Sequence, residues 1–198
     1  MKELINKVKQ NKLLFILLII IILFTILGIL FPALINSENK TLIKDSIESF
    51  MKAIDKNNIN YISAFISSIT NNIIVTILIW ILGISIIGIP IILISIAFKS
   101  FLTGFSITSI FITYGIKGTL IAIIYTLPNI INLLGSFLLG YYAISFSIMI
   151  YKSVFKKETR NWQPIVKRYL KIGIFFIILS IVVSILESYL IPKILLFL

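Results

Sequence analysis

The sequence contains no cysteine and no histidine, and these absences remove several kinds of chemistry at once. Disulfides, thiolate nucleophiles, imidazole bases and the common zinc sites all require one of the two side chains. Acidic residues are also few, at seven: Glu3, Glu38, Asp45, Glu48, Asp55, Glu158 and Glu187. Only Glu187 falls within an apolar stretch, so no second carboxylate is placed to join it in acid and base catalysis. No GxxxxGK[ST] phosphate loop occurs either, and we therefore expect no enzymatic activity, metal or cofactor.

Apolar residues are abundant instead. The 198-residue chain is 59% hydrophobic and 13% charged, whereas soluble domains are about 45 to 50% apolar and about 25% charged. This composition predicts an all-α, polytopic transmembrane bundle of about five spans, with residues 1–198 as a single integral membrane domain. The net charge of +11 lies beside apolar runs, which is typical of membrane orientation and not of nucleic-acid binding. The excess of lysine over arginine is typical of AT-rich bacterial coding and points to a bacterial cell membrane.

The first third of the chain predicts one span and one outer loop. Residues 1–12 form a basic tail, and residues 13–31 form an apolar run that is too long for a signal-peptide core and lacks a cleavage site. The loop 32–70 has four lysines, four acidic residues and apolar residues at helical spacing, so it predicts an amphipathic helix. This helix either lies on the membrane or the bundle, or docks an extracytoplasmic partner through Ile47, Phe50, Met51 and Ile54.

Residues 71–97 predict the second span, around which the chain is organised. Gly83, Gly88 and Pro90 lie inside it. Glycines let neighbouring helices approach closely. Proline lacks a backbone N–H, so another group of the protein must satisfy the acceptor that is left free. Residues 101–114 predict a short third span. A charge in mid-bilayer costs at least about 2.5 to 3.5 kcal/mol, so Lys117 is expected at the outer interface and residues 115–129 in a re-entrant or broken segment. One tilted helix broken at its glycines is the alternative.

The last third predicts two further spans around a basic loop. Residues 130–151 form the fourth span and residues 172–191 the fifth. The loop 152–171 between them carries seven basic residues and one acid, which predicts a cytoplasmic position and contact with anionic lipid. The amino terminus is therefore expected in the cytoplasm and the carboxyl terminus outside. The seven basic residues are Lys152, Lys156, Lys157, Arg160, Lys167, Arg168 and Lys171.

Two further sets of polar residues invite interpretation. Lys117 and Glu187 are both expected near the outer face, where they either form an ion pair that closes the bundle or lie separately with their charges in water. Four asparagines lie at predicted span entrances, where amides cap helix ends or bond across helices for about 0.6 to 2 kcal/mol. They are Asn71, Asn72, Asn129 and Asn132.

Three ordered motifs then indicate a family. Asn72 precedes LIWILGISIIGIP, which is followed by AFKSFLTGFS and by GIKG with an apolar run to LPN. In this order the motifs resemble the stage II sporulation protein M family over most of the chain. Two departures are Ser100, where the family has glycine, and Asn129, which follows the proline directly. The family's motif positions are Asn72, Gly83, Gly88, Pro90, Lys99, Gly104, Gly115, Lys117, Gly118 and Pro128.

The resemblance implies a non-enzymatic membrane scaffold for engulfment of the forespore. Such a protein anchors and positions peptidoglycan hydrolases, the stage II sporulation proteins D and P, at the outer face of the membrane. Its partners are then these hydrolases, membrane lipid and, through glycine-faced helices, further copies of itself. The alternative is a permease subunit for a small solute, because residues 83–90 and 115–128 are apolar segments interrupted by glycine or proline, and broken helices often form binding sites.

Overall fold

A computed structural model describes residues 11–55 and 60–195, which are helical with no strand among them. Five of the described helices are long and apolar enough to cross a membrane. Their outward surfaces are covered by exposed leucine, isoleucine and phenylalanine side chains, as expected where lipid is the solvent. The fold is therefore the expected polytopic helical bundle. The elements are α1 (Lys12–Leu34), α2 (Ser37–Asp55), α3 (Tyr61–Leu82), α4 (Gly88–Tyr114), α5 (Gly118–Phe155), α6 (Trp162–Ile185) and α7 (Ile191–Leu195).

The central stretch is a helical hairpin and not one span. The predicted span over 71–97 is wrong, because α3 ends at Leu82, a tight turn follows, and α4 begins at Gly88. Ser147 of α5 holds this turn, because its single hydroxyl hydrogen lies within reach of the carbonyl oxygens of Gly83 (2.6 Å) and Ser85 (3.1 Å). The polar residues 61–70, expected in the outer loop, form the first part of α3.

Pro90 leaves no backbone group unsatisfied, contrary to expectation. It occupies the first turn of α4, where backbone N–H groups have no partner within a helix. The proline therefore favours the start of a new helix directly after the turn. Gly88 is needed beside it, because a Cβ at this position would overlap the carbonyl oxygen of Leu82.

The predicted re-entrant segment over 115–129 is also wrong. A 3₁₀ turn over Gly115–Lys117 separates α4 from α5, which continues unbroken through Pro128 to Phe155 and contains the predicted span 130–151. The two helices run antiparallel, since Ile96 packs near Gly140 and Ile110 near Gly118. Gly115 has a φ of 59°, a conformation that side chains disfavour. The count of five spans agrees with the prediction, but most boundaries differ.

Helix α1 packs along α4 through two glycines. A Cβ on Gly28 would overlap the carbonyl oxygen of Phe101, and a Cβ on Gly104 would overlap that of Thr25. Small residues at such crossings let backbones touch, which is a major source of helix association where no hydrophobic effect operates. Phe31 adds an edge-on ring contact with Phe101 at 5.3 Å.

The basic loop and the α3–α4 turn share one end of the bundle, here called the basic end. Tyr169 of α6 stacks on Phe146 of α5 at 4.1 Å and donates to the carbonyl oxygen of Trp80 in α3. Helix α6 begins at Trp162, ten residues before the predicted fifth span. In the loop itself, a hydrogen bond from Arg160 lowers the pKa of the exposed Glu158 carboxyl.

The amphipathic helix α2 lies at the opposite end, against α4 and the last residues described. Ile47 and Met51 are half-buried and line a cavity of about 410 Å³ with Ser109 and Ile121. Met51 also packs on Leu195. The described residues of this apolar face thus rest on the bundle, as one of the two interpretations of this helix expected, while the side chains of Phe50 and Ile54 lie outside the described part of the chain.

Candidate functional site

A cavity of about 840 Å³, with polar side chains within a largely apolar lining, lies between the two arms of the α3–α4 hairpin. Helix α5 and the carboxyl-terminal helices supply its other walls. The cavity sits well away from the basic end, because its lining residues on α3 and α4 are far from the turn at 83–87 in both directions. Its polar lining includes Ser68, Asn72, Lys99, Thr103, Asn129 and Glu187.

Lys99 lies in the middle of a membrane-length helix. It is the twelfth of the 27 residues of α4, so at 1.5 Å per residue it lies about 16 Å from the start of the helix. Its ammonium group donates to Ser136 Oγ on α5 at 3.0 Å. The predicted second span ended at residue 97 and so would have put Lys99 just beyond a span, but the chain turns at 83–87 and the lysine lies inside α4.

Glu187 lies on a π-helical turn, Leu186–Leu190, between α6 and α7. Such turns are rare and often mark functional positions, since they redirect side chains from a regular helix face. One carboxylate oxygen, Oε2, accepts hydrogen bonds from Ser68 Oγ and from Asn72 Nδ2, the latter at 2.9 Å. The other, Oε1, is buried and accepts no hydrogen bond from the described residues.

Asn72 is the hub that joins three helices. Its amide nitrogen lies near Glu187 Oε2, Ser184 Oγ at 3.1 Å and Ser68 Oγ at 3.3 Å, although an amide has only two hydrogens to donate. Its oxygen accepts from Asn132 Nδ2 on α5. Asn72 is 7% exposed, so these bonds are shielded from solvent and connect α3, α5 and α6.

The polar contacts continue from this hub to the lysine. Ser136 Oγ donates to the Asn132 carbonyl oxygen at 2.9 Å and accepts from Lys99. A chain of hydrogen-bonding residues therefore runs from the Glu187 carboxylate through Asn72, Asn132 and Ser136 to the Lys99 ammonium group. One turn towards the basic end, Thr76 and Ser180 bond each other at 2.7 Å and add a second link between α3 and α6.

The two opposite charges share the cavity but do not neutralise each other by direct contact. In the described part of the chain, no ion pair within 4.0 Å joins Lys99 to Glu187. Each charge at membrane depth costs at least about 2.5 to 3.5 kcal/mol on insertion scales, so such residues usually serve a function. Among the described residues, no group of three or more side chains of the types His, Cys, Asp and Glu is placed to hold a metal ion.

Comparison with known proteins identifies the family. A family model described as stage II sporulation protein M matches residues 14–192. The chain belongs to the stage II sporulation protein M family. No curated protein and no solved structure matches it. The resemblance carried by the three sequence motifs is thus confirmed at the level of the family.

The motif positions of this family member fall into two groups in the structure. Asn72 and Lys99 belong to the polar chain in the cavity. The other described motif residues shape the backbone. Gly83 admits the Tyr169 hydroxyl, Gly104 admits α1, and Gly115 permits a positive φ. Of these glycines, Gly83 was expected from the sequence itself to let a neighbouring helix approach closely, whereas Gly104 was marked only through the family resemblance.

The remaining predicted residues are distributed differently from expectation. Glu187 meets Asn72 and Ser68, while the side chain of Lys117 lies outside the described part of the chain, so their ion pair stays a prediction. Asn72 and Asn132 bond across helices, as one interpretation expected, but they lie deep in the bundle and not at span entrances. Asn129 lines the cavity and donates to the carbonyl oxygen of Tyr125 at 3.5 Å.

Proposed function

We propose that this sporulation-family membrane protein is a non-enzymatic scaffold that positions peptidoglycan hydrolases at the outer face of the membrane during engulfment. By family resemblance, the hydrolases are the stage II sporulation proteins D and P. The observation that carries the proposal is the position of α2, an amphipathic helix with one face on the bundle and a charged face left exposed. Absence of catalysis is part of the proposal, since the cavity offers a single carboxylate for acid and base chemistry.

Contacts at both ends of α2 support a fixed platform. At its start, the Lys40 ammonium group donates to the carbonyl oxygen of Ala33 in α1 at 3.1 Å. Further along, Ile47 and Met51 pack on the bundle. Helix α2 is therefore held against the bundle at more than one point, and a partner bound to it would be positioned relative to the membrane.

The exposed face of α2 carries charges of both signs. Glu48 lies 3.8 Å from Lys44 and 3.7 Å from Lys52, with the lysines largely in solvent. Such exposed pairs contribute little to stability, so they are free to exchange partners on docking. Docking through Ile47 and Met51 requires these side chains to leave the bundle. We therefore propose the charged face, including Asp45, as the contact surface.

The proposal requires α2 to lie outside the cytoplasm. The basic residues of the loop at the opposite end of the bundle support this orientation, because short loops rich in lysine and arginine remain in the cytoplasm. Exposed members of this cluster are Lys156, Lys157, Lys167, Arg168 and Lys171.

Photo-crosslinking in the sporulating native host tests the scaffold. A photoreactive amino acid replaces Asp45 on the exposed face of α2, and the matched control replaces Ile47 on the face that meets the bundle. Mass spectrometry identifies what each position captures. We expect hydrolases from Asp45 and this protein's own helices from Ile47. Capture of lipid alone at Asp45, in cells that contain the hydrolases, contradicts the scaffold.

A second candidate function is favoured by the cavity. We propose as the alternative a permease-like subunit for a small solute, because Lys99 and Glu187 line a polar cavity between membrane-length helices. The two candidates separate in one experiment with the Lys99→Gln variant. A permease predicts altered solute uptake with unchanged hydrolase capture at Asp45, whereas a scaffold predicts that neither changes.

A further inference from the structure

We propose that the cavity between α3 and α4 binds a small zwitterionic group, with Glu187 receiving its ammonium end and Lys99 its anionic end. This inference rests on the second candidate function. It requires only that the cavity binds a ligand, so binding can be tested without measuring transport. Lys99 and Glu187 line one cavity, and among the described residues no ion pair within 4.0 Å joins them.

Glu187 lines the cavity, and one of its carboxylate oxygens has no hydrogen-bond partner among the described residues. Glu187 Oε2 is already bonded by Ser68 and Asn72, which fixes the orientation of the carboxylate. Oε1 is buried without a hydrogen bond from the described residues. A buried carboxylate oxygen in this state is costly, because an unsatisfied charged acceptor loses its hydration without compensation. An ammonium group supplies both hydrogens and positive charge, and therefore satisfies it best.

Lys99, which lines the same cavity, has free donors. The Lys99 ammonium group has three hydrogens, and in the described chain its hydrogen bond goes to Ser136 Oγ. Two hydrogens remain for a ligand. The bond to Ser136 also orients the group, since α5 holds the serine through its own bond to Asn132. A carboxylate or phosphate oxygen is the matching partner for such a cation.

The dimensions of the cavity fit a small ligand. Pockets for small molecules usually measure about 300 to 1,000 Å³, and this cavity holds about 840 Å³. Ser and Thr side chains from the two arms of the hairpin also line it, including Ser68 and Thr103. These hydroxyls can form hydrogen bonds with other polar atoms of the ligand, whereas a simple anion or cation would pair with only one of Lys99 and Glu187.

Two sources supply this chemistry. A free amino acid carries an ammonium and a carboxylate group, and the headgroup of phosphatidylethanolamine carries an ammonium and a phosphate. The rim of the cavity includes exposed apolar residues, Ile74 at 56% and Phe98 at 60% exposure. Lipid chains can lie against such a rim, so the experiment tests the free amino acid and the lipid headgroup in separate arms.

The first arm measures amino-acid binding to the purified full chain. The protein is placed in nanodiscs of phosphatidylglycerol alone and equilibrated with a ¹⁴C-labelled mixture of the common amino acids. The second arm uses nanodiscs with equal phosphatidylethanolamine and phosphatidylglycerol, and counts the lipids retained after extraction into detergent. Saturable binding in the first arm assigns the site to a free zwitterion. Selective retention of phosphatidylethanolamine without amino-acid binding assigns it to the headgroup. Absence of both overturns the proposal.

Charge-removing variants locate the binding. Because charge-assisted hydrogen bonds contribute about 1.5 to 3 kcal/mol, Lys99→Gln and Glu187→Gln should each weaken binding by about 10-fold or more. The matched controls are Lys167→Gln and Glu158→Gln, which remove the same charges at exposed positions outside the cavity. Unchanged binding in both cavity variants overturns the proposal.

A competition experiment on the unaltered protein covers the case in which a cavity variant does not fold. Methylammonium and acetate each carry one half of the zwitterion. We expect each to compete at least 10-fold more weakly than unlabelled amino acids, because each satisfies only one of the two charges. Competition by either ion alone at the same strength as the zwitterion contradicts recognition by both ends.

Discussion

Replacement of Asn72 by alanine should destabilise the bundle more than any neighbouring change of the same kind. Asn72 makes hydrogen bonds to three residues on other helices, Glu187, Ser184 and Asn132. Interhelical hydrogen bonds within membranes average about 0.6 kcal/mol each and reach about 1.7 kcal/mol. Three such bonds give about 2 kcal/mol, or about a 30-fold change in the ratio of folded to unfolded protein.

Asn71→Ala is the matched control for this prediction. Asn71 is adjacent in α3 and exposed, and its side chain makes no hydrogen bond within the described chain. Both substitutions replace asparagine by alanine in the middle of one helix, so the gain in helix propensity is shared and cancels in the difference. Only Asn72→Ala removes bonds between helices.

Steric trapping in bicelles, under conditions of reversible unfolding, measures the difference in the free energy of unfolding. We expect the free energy of unfolding of Asn72→Ala to be about 2 kcal/mol below that of Asn71→Ala, by the average for membrane hydrogen bonds. A difference below about 0.5 kcal/mol, less than one average bond, contradicts a stabilising role for the interhelical bonds of Asn72. It means that the polar groups around Asn72 find equally good partners in the unfolded state in the bilayer.

Three further substitutions test how the backbone is shaped. Gly104→Val should lower the free energy of unfolding by about 3 kcal/mol, the upper end for overpacking, because its Cβ overlaps the Thr25 carbonyl oxygen. Gly115→Ala should lower it by about 1 to 2 kcal/mol through the positive φ alone, since the space beside Gly115 is open. Ser147→Ala should lower it by about 1 to 3 kcal/mol, because the buried carbonyl oxygen of Gly83 loses its donor. The same unfolding assay checks all three, and a change within error for any of them contradicts the contact assigned to it.

Composition and charge were sufficient to predict the class of fold. The apolar content requires a membrane solvent, and five apolar stretches were visible without the structure. The boundaries were not, because glycine and proline occur both inside membrane helices and at turns between them. At residues 83–90 they mark a turn, and a turn at this place puts the polar residues 61–70 inside a span. Proline is common in the first turn of a helix, so Pro90 was the sequence signal for a new helix after this turn.

The site was predictable only in its parts. Glu187 was recognised as the single acid in an apolar stretch, and Asn72 and Asn132 as candidates for bonds across helices. Lys99 was misplaced, because the error at the α3–α4 turn moved it from the middle of a helix to an end. The π-helical turn that carries Glu187 has no sequence signal of its own. Whether these residues come together depends on which helices pack against each other, and one sequence does not show which helices are neighbours.

Cysteine accessibility measures whether water reaches the cavity that Lys99 and Glu187 line between α3 and α4. The chain has no natural cysteine, so single replacements report without background. Asn71→Cys lies at an exposed position that lines the cavity, and Ile22→Cys lies on the exposed apolar surface of α1, with 54% exposure. In intact proteoliposomes, a charged thiol reagent should modify Asn71→Cys and leave Ile22→Cys unmodified. Equal protection of both positions contradicts an open cavity between α3 and α4, because water then does not reach its lining.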